Sequence, residues 1–316
     1  MINQGKINEL TEKAKLIKTA LKSKPKNENI LVNILISTNN SERQIIRTCY
    51  KKLYNKPIQN DLKEELTNNF KELCLSMFDT PYEYDSKELY KAINSNPIKY
   101  KIIIEIFSSR NKSHLNITNQ AYNQFFKISL KEEIKKKLNK KFSKFLLAIM
   151  DTSREEEKSL SYNDTYIFAK KIKEKNKEIF LDENLFKNIF LVKSREDLIL
   201  ISRAFFELYK INLYEYIKNL KNGELEEYNK TLLKSVLFVV INPSEWFCKK
   251  IKKVVKQLKD NYIYSDLNRI VINRAEIDMD IIRDYYLMDN KSDLLKDIQE
   301  INEEFYREVL LALCMK

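Results

Sequence analysis

Leu10, Ala14, Ile17 and Leu21 recur at steps of three and four residues, which places them on one face of a helix over 7–22. A polar loop over 23–27 follows. A second helix over 28–37 carries Ile30, Leu31, Ile34 and Leu35 as an i, i+1, i+4, i+5 stripe. Asn40 or Ser41 can cap a third helix running to Tyr54 by accepting from first-turn amides that have no partner in the helix. Pro57 suits the first turn of a fourth helix ending near Thr67, because it has no amide hydrogen to leave unpaired. A fifth, over 69–78, carries Phe70, Leu73, Cys74 and Met77.

The pattern then repeats. The stripe returns as Ile102, Ile103, Ile106 and Phe107, again as Leu185, Phe186, Ile189 and Phe190, and more weakly as Leu267, Ile270 and Val271. The residues that close these stripes, Thr38, Arg110, Lys193 and Arg274, stand 72, 83 and 81 positions apart. Twelve positions after each comes Tyr50, Tyr122, Phe205 or Tyr286, and twenty further on Phe70, Phe142, Leu225 or Tyr306. Four copies of a five-helix unit account for the chain.

Composition sharpens this reading. Only 2 of the 316 residues are Gly and 5 are Pro, against roughly 7% and 5% in an average globular protein. Sandwiches and barrels that turn on glycine, and glycine-rich phosphate loops, are therefore disfavoured. No charge-free apolar run approaches the roughly 18 to 20 residues that span a bilayer. The first six residues lack an apolar signal core, and Cys49, Cys74, Cys248 and Cys314 lack paired metal spacing, so a reduced, cytoplasmic protein is expected. The one histidine, His114, excludes multi-histidine metal sites and is read as an exposed residue near a helix start. A formal net charge of +12 implies an anionic partner surface.

Residues 22–92 closely resemble an annexin repeat. The resemblance is carried by Ile34-Leu35-Ile36-Ser37, Tyr50-Lys51-Lys52-Leu53-Tyr54, Asp61-Leu62-Lys63-Glu64-Glu65-Leu66-Thr67 and Tyr84-Asp85-Ser86-Lys87-Glu88-Leu89. Asn273-Arg274-Ala275-Glu276-Ile277-Asp278 and the terminal Leu310-Leu311-Ala312-Leu313-Cys314 are similar to a fourth annexin repeat. The resemblance implies an all-α array of four repeats of five short helices each, forming a curved disc. Its boundaries would be 7–80, 81–150, a charged linker over 151–162, 163–241 and 242–316. It also implies a peripheral, non-enzymatic protein of phospholipid membranes.

In that family calcium is held by carbonyls of a glycine-containing loop between the first two helices and by a carboxylate about forty residues later, with water or lipid phosphate completing the six to eight oxygens. Carried onto this sequence, the ligands of repeat one would be the carbonyls of Leu21, Ser23 and Pro25 and the carboxylate of Glu65, with Glu28 near a second, minor ion. Ser23 and Pro25 replace the glycines, and proline cannot take a positive φ, so one weak calcium site is the most this repeat offers. Repeat two has Ser95 and Pro97 in the loop and Lys137 at the carboxylate position, and the same register gives Leu220 and Ile301 in repeats three and four. Three of the four sites are expected to be lost.

Lysines stand in their place. Lys22, Lys24, Lys26, Lys99 and Lys137 are expected to touch anionic lipid, each worth about 1 kcal/mol near such a surface, with Phe180, Leu181 and Tyr262 as apolar contacts in the third and fourth loops. The resulting expectation is a phospholipid-binding protein with weakened or lost calcium dependence, on the inner face of a membrane. The alternative is a scaffold bound to cytoskeletal filaments, of the alpha-giardin type. Nucleic acid is disfavoured, because the basic residues are interspersed with Asp and Glu and form no reader motif.

Overall fold

The computed structural model describes residues 3–221, 223–261, 264–290 and 292–316. These form twenty α-helices and no strand. The first five are α1 (Gln4–Lys22), α2 (Glu28–Ile36), α3 (Asn40–Tyr54), α4 (Ile58–Glu65) and α5 (Asn68–Met77). The next five are α6 (Pro81–Ile93), α7 (Tyr100–Ser109), α8 (Lys112–Phe126), α9 (Leu130–Lys137) and α10 (Lys140–Asp151). Then come α11 (Tyr162–Lys175), α12 (Glu183–Phe186), α13 (Arg195–Tyr209), α14 (Leu213–Asn219) and α15 (Glu224–Ile241). The last are α16 (Pro243–Asn261), α17 (Tyr264–Arg274), α18 (Met279–Asn290), α19 (Leu294–Gln299) and α20 (Glu304–Cys314).

The apolar faces fall where the periodicity puts them. Leu10, Ala14, Ile17 and Leu21 are buried on α1, and Tyr50, Tyr122, Phe205 and Tyr286 are buried at equivalent positions of α3, α8, α13 and α18. The cap of α3 is Asn39, one residue earlier than expected. Its side chain accepts from the Glu42 amide while the Glu42 carboxylate accepts from the Asn39 amide, so two first-turn donors are satisfied reciprocally.

Glycine is scarce even where a left-handed residue ends a helix. Asn55, Lys127 and Lys210 hold φ of 49°, 59° and 54° after α3, α8 and α13, at one register position. The fourth equivalent, Lys291, lies outside the described residues.

The region around α12 departs from the expected helix. A 3-10 turn over Asn176–Phe180 precedes this four-residue helix, and a π turn over Lys187–Leu191 follows it. Phe186, Ile189 and Phe190 nevertheless reach the core.

The chain forms two compact units, Met1–Pro81 with Ser244–Lys316, and Tyr82–Pro243. In the first, α2 packs on α20 and α5 on α17, so the beginning and end of the sequence share one core. Arg43 Nη2 lies 3.3 Å from Glu276 Oε1, and Lys316 Nζ donates to the Thr38 carbonyl at 3.3 Å. In the second, α7 packs on α15 and α10 on α12. Residues between α10 and α11 are docked rather than free. Arg154, expected within a charged linker, donates to the carbonyls of Phe190 and Lys193, and buried Asp197 accepts from the amides of Ser159 and Leu160.

Candidate functional site

Glu65 is the last residue of α4 and faces the end of α1. Lys22 Nζ donates to its Oε1 at 2.6 Å, Lys26 Nζ lies 3.3 Å from its Oε2, and Lys26 also donates to its backbone carbonyl. Hydrogen bonds from Lys22 and then Lys26 hold the Glu65 carboxyl below the usual range, and the Glu65 partner raises Lys22. Ser23 Oγ donates to the Ala20 carbonyl at 2.9 Å, tying the loop back onto α1. The loop residues Lys24, Pro25 and Lys26 are exposed, and Glu28 is half-buried at the start of α2.

The second loop has the same construction with different charge. Ser95 Oγ donates to the Ala92 and Pro97 carbonyls, both at 2.9 Å, and Lys137 Nζ donates to Asn94 Oδ1 at 2.8 Å. Lys99, Lys135, Lys136, Lys137, Lys140 and Lys141 are exposed, and the Lys137–Asn94 bond ties this basic α9–α10 junction to the loop.

A cation also occupies the corresponding corner in the other two repeats. Lys230 Nζ donates to the Leu220 carbonyl at 3.2 Å, and Arg307 Nη1 to the Ile301 carbonyl at 2.7 Å. Glu65, Lys137, Leu220 and Ile301 share one register, so each of the four junctions holds an ammonium or guanidinium. A calcium ion requires six to eight oxygens and neutralisation by carboxylate. As folded, the only carboxylate at the four positions is already held by two ammonium groups, so these residues do not fit a divalent ion without displacing them.

One expected membrane contact, Phe180, is corrected. Phe180 and its neighbour Ile179 are fully buried, and Leu181 packs half-buried against the same core. The 3-10 turn directs both side chains inward, because burial of an aromatic ring outweighs exposing it in a polar loop. Tyr262 lies outside the described residues.

Sequence reasoning missed the acidic residues that organise these corners. Asp61, one turn before Glu65, is buried and accepts from Lys18 Nζ at 2.7 Å, from Lys56 Nζ at 2.8 Å and from the Tyr50 hydroxyl. Burial opposes its charge, yet those three donors hold the carboxyl well below its ordinary value. Tyr286 donates to Asp297 Oδ2 at 2.6 Å with the same eleven-residue spacing. That recurring interval, Tyr50 to Asp61 and Tyr286 to Asp297, was legible in the sequence. His114 is likewise not free: its Nε2 lies 2.8 Å from Asp85 Oδ2, and buried Asp85 also accepts from Arg110 Nε at 2.7 Å.

Comparison with known proteins agrees with this architecture. Residues 12–77 and 84–149 match the family model for annexin. Annexin A4 of Rattus norvegicus is 29% identical over 306 residues, covering 96% of this chain and 94% of that protein. Annexin A11 of Oryctolagus cuniculus is 27% identical over 308 residues, and the chain spans 59% of its length. Among solved structures, annexin III superimposes with a TM-score of 0.88 at 24% identity, covering 97% of this chain and 94% of that one. Calcium-bound alpha-14 giardin superimposes at 0.74 with 14% identity, covering 97% and 99%. At those identities the two structures speak for the fold alone.

Proposed function

This chain belongs to the annexin family, and from that premise we propose that it is a peripheral phospholipid-binding protein whose attachment needs little or no calcium. The observation that carries the reading is the pair of exposed lysines, Lys22 and Lys26, closed on Glu65, together with exposed Lys137 at the equivalent carboxylate position of repeat two. Where a relative would use a bridging ion to join two negative partners, protein carbonyl or carboxylate and lipid phosphate, this chain presents the positive charge itself. Lys24, Lys99, Lys135, Lys136, Lys140 and Lys141 are exposed and contribute to the same attraction. At about 1 kcal/mol per basic residue near anionic lipid, four or five of them give useful affinity at low salt. Among the described residues no helix is long and apolar enough to cross a membrane, and attachment would be to the anionic inner leaflet from the cytoplasm. No chemical step is assigned to the protein, which acts by binding.

The test is co-sedimentation with phosphatidylserine vesicles in calcium and in chelator, across a salt series. Binding that is equal in both and weakens with salt supports the reading. Binding only with calcium refutes the calcium-independent part, and no binding at low salt in either condition refutes the membrane part. Sedimentation with purified filaments in the absence of lipid would point instead to the scaffold alternative.

A further inference from the structure

The second unit contains a cavity of about 220 Å³ that the membrane-binding reading does not use. Its apolar wall is built from Phe107, Ile149, Leu191, Val236, Val239 and Val240, contributed by α7, α10, the turn after α12, and α15. Its polar wall contains Arg110, Lys112 and Arg154 and no acidic residue.

The three cations differ in how they are compensated. Arg110 is neutralised by Asp85, at 2.7 Å from Nε and 3.3 Å from Nη2. Arg154 is not: its two terminal nitrogens donate to the Phe190 and Lys193 carbonyls, which are dipoles and carry no net charge. Burial alone pushes its guanidinium down to about 10, so it remains charged near neutral pH. Among the described residues no carboxylate lies within ion-pair distance of Arg154 or of Lys112.

Two further donors are present. Thr152 Oγ1 is buried without a hydrogen-bond partner, and Lys112 opens the fifteen-residue helix α8, whose dipole favours an anion although Asn111 Oδ1 already accepts from the His114 amide at 2.8 Å. An apolar wall facing two uncompensated cations suits a ligand with one charged end and one hydrocarbon end, and the volume limits it to a small one. We propose that this cavity binds a small amphiphilic anion, in class a medium-chain carboxylate, with its head between Lys112 and Arg154 and its chain against Val236 and Val239.

The test is calorimetric titration of the full chain, without lipid, using octanoate and, separately, 1-octanol. Octanoate should bind at millimolar or lower concentration, and 1-octanol about tenfold more weakly, because it lacks the charge that the two cations stabilise. V239F, which fills the cavity from a half-buried position, should weaken octanoate about tenfold with the thermal midpoint retained. K112Q should weaken it severalfold with 1-octanol unchanged. Lys112 carries the charge test because Arg154 also holds backbone carbonyls, and its loss would disturb folding. Equal affinity for octanoate and 1-octanol, unchanged octanoate binding in V239F, or no heat up to about 10 mM octanoate would each overturn the proposal.

Discussion

Lys137 Nζ donates to Asn94 Oδ1 at 2.8 Å, in the two register positions that Glu65 and Lys22 fill seventy-two residues earlier at 2.6 Å. The junction between helices is kept closed by a lysine in both repeats, although the lysine has moved from one side of the contact to the other. The position nearest the expected lipid surface is thus a carboxylate held by two ammonium groups in repeat one and an exposed cation, Lys137, 3.9 Å from buried Glu133, in repeat two. The first prediction concerns that cation. Lys137→Glu should weaken vesicle binding in chelator by about 2 kcal/mol, roughly thirtyfold, since one attractive charge is removed and one repulsive charge added. Vesicle partitioning at low salt measures it, and an unchanged partition would remove Lys137 from the interface.

Releasing Glu65 should restore metal binding. In the double variant K22Q/K26Q the carboxylate no longer has ammonium partners, and calcium should bind with a Kd of about 10⁻⁴ to 10⁻³ M, the range of low-charge sites. Adding Glu65→Gln should abolish it. Terbium luminescence or calorimetry reports the difference, and calcium binding that survives Glu65→Gln would place the ion elsewhere.

Phe180 offers a check on burial against membrane contact. Phe180→Ala should destabilise the fold by about 3 kcal/mol or more, through lost transfer energy and the cavity left behind. The fraction that remains folded should bind vesicles normally. Urea unfolding and partitioning, measured on the same samples, separate the two effects.

Asp61 links stability to pH. Its folded-state pKa lies below the unfolded value of about 3.9, because Lys18, Lys56 and Tyr50 favour the anion despite its burial. Its contribution is therefore full above the unfolded pKa and is lost as pH falls through the folded one. Asp61→Asn should cost about 2 kcal/mol near neutral pH, and the gap from the parent should narrow between about pH 5 and pH 2. A gap that stays constant across urea titrations in that range would show that ionisation of Asp61 contributes nothing.

The left-handed helix ends give a stabilising prediction. Lys210 sits at φ 54° after α13, a conformation that costs a side-chain-bearing residue about 1 kcal/mol relative to glycine. Lys210→Gly should raise stability by about 0.5 to 1 kcal/mol. A lower thermal midpoint would mean that the lysine side chain contributes more than its backbone costs.

The five-helix unit of the first repeat, its recurrence and the scarcity of loop glycine were readable from the sequence, because they follow from local rules of apolar periodicity, caps and the steric limits of proline, whereas the cap of α3 and the broken helix around α12 were not. The same rules located Glu65 and Lys137. What they did not supply is which groups meet across sequence distance. That Lys22 and Lys26 close on Glu65, that Asp85 gathers Arg110 and His114, and that Arg154 docks on carbonyls some forty residues away depend on how helices stack. Phe180 shows the limit in the other direction, since an apolar residue in a loop has the same local pattern whether it faces lipid or core. Only the fold decides between them, because burial is a property of the neighbours that packing brings. By the same route the packing of α2 on α20 and of α5 on α17 joins the first and last quarters of the chain into one core, a pairing that no periodicity within either quarter could specify.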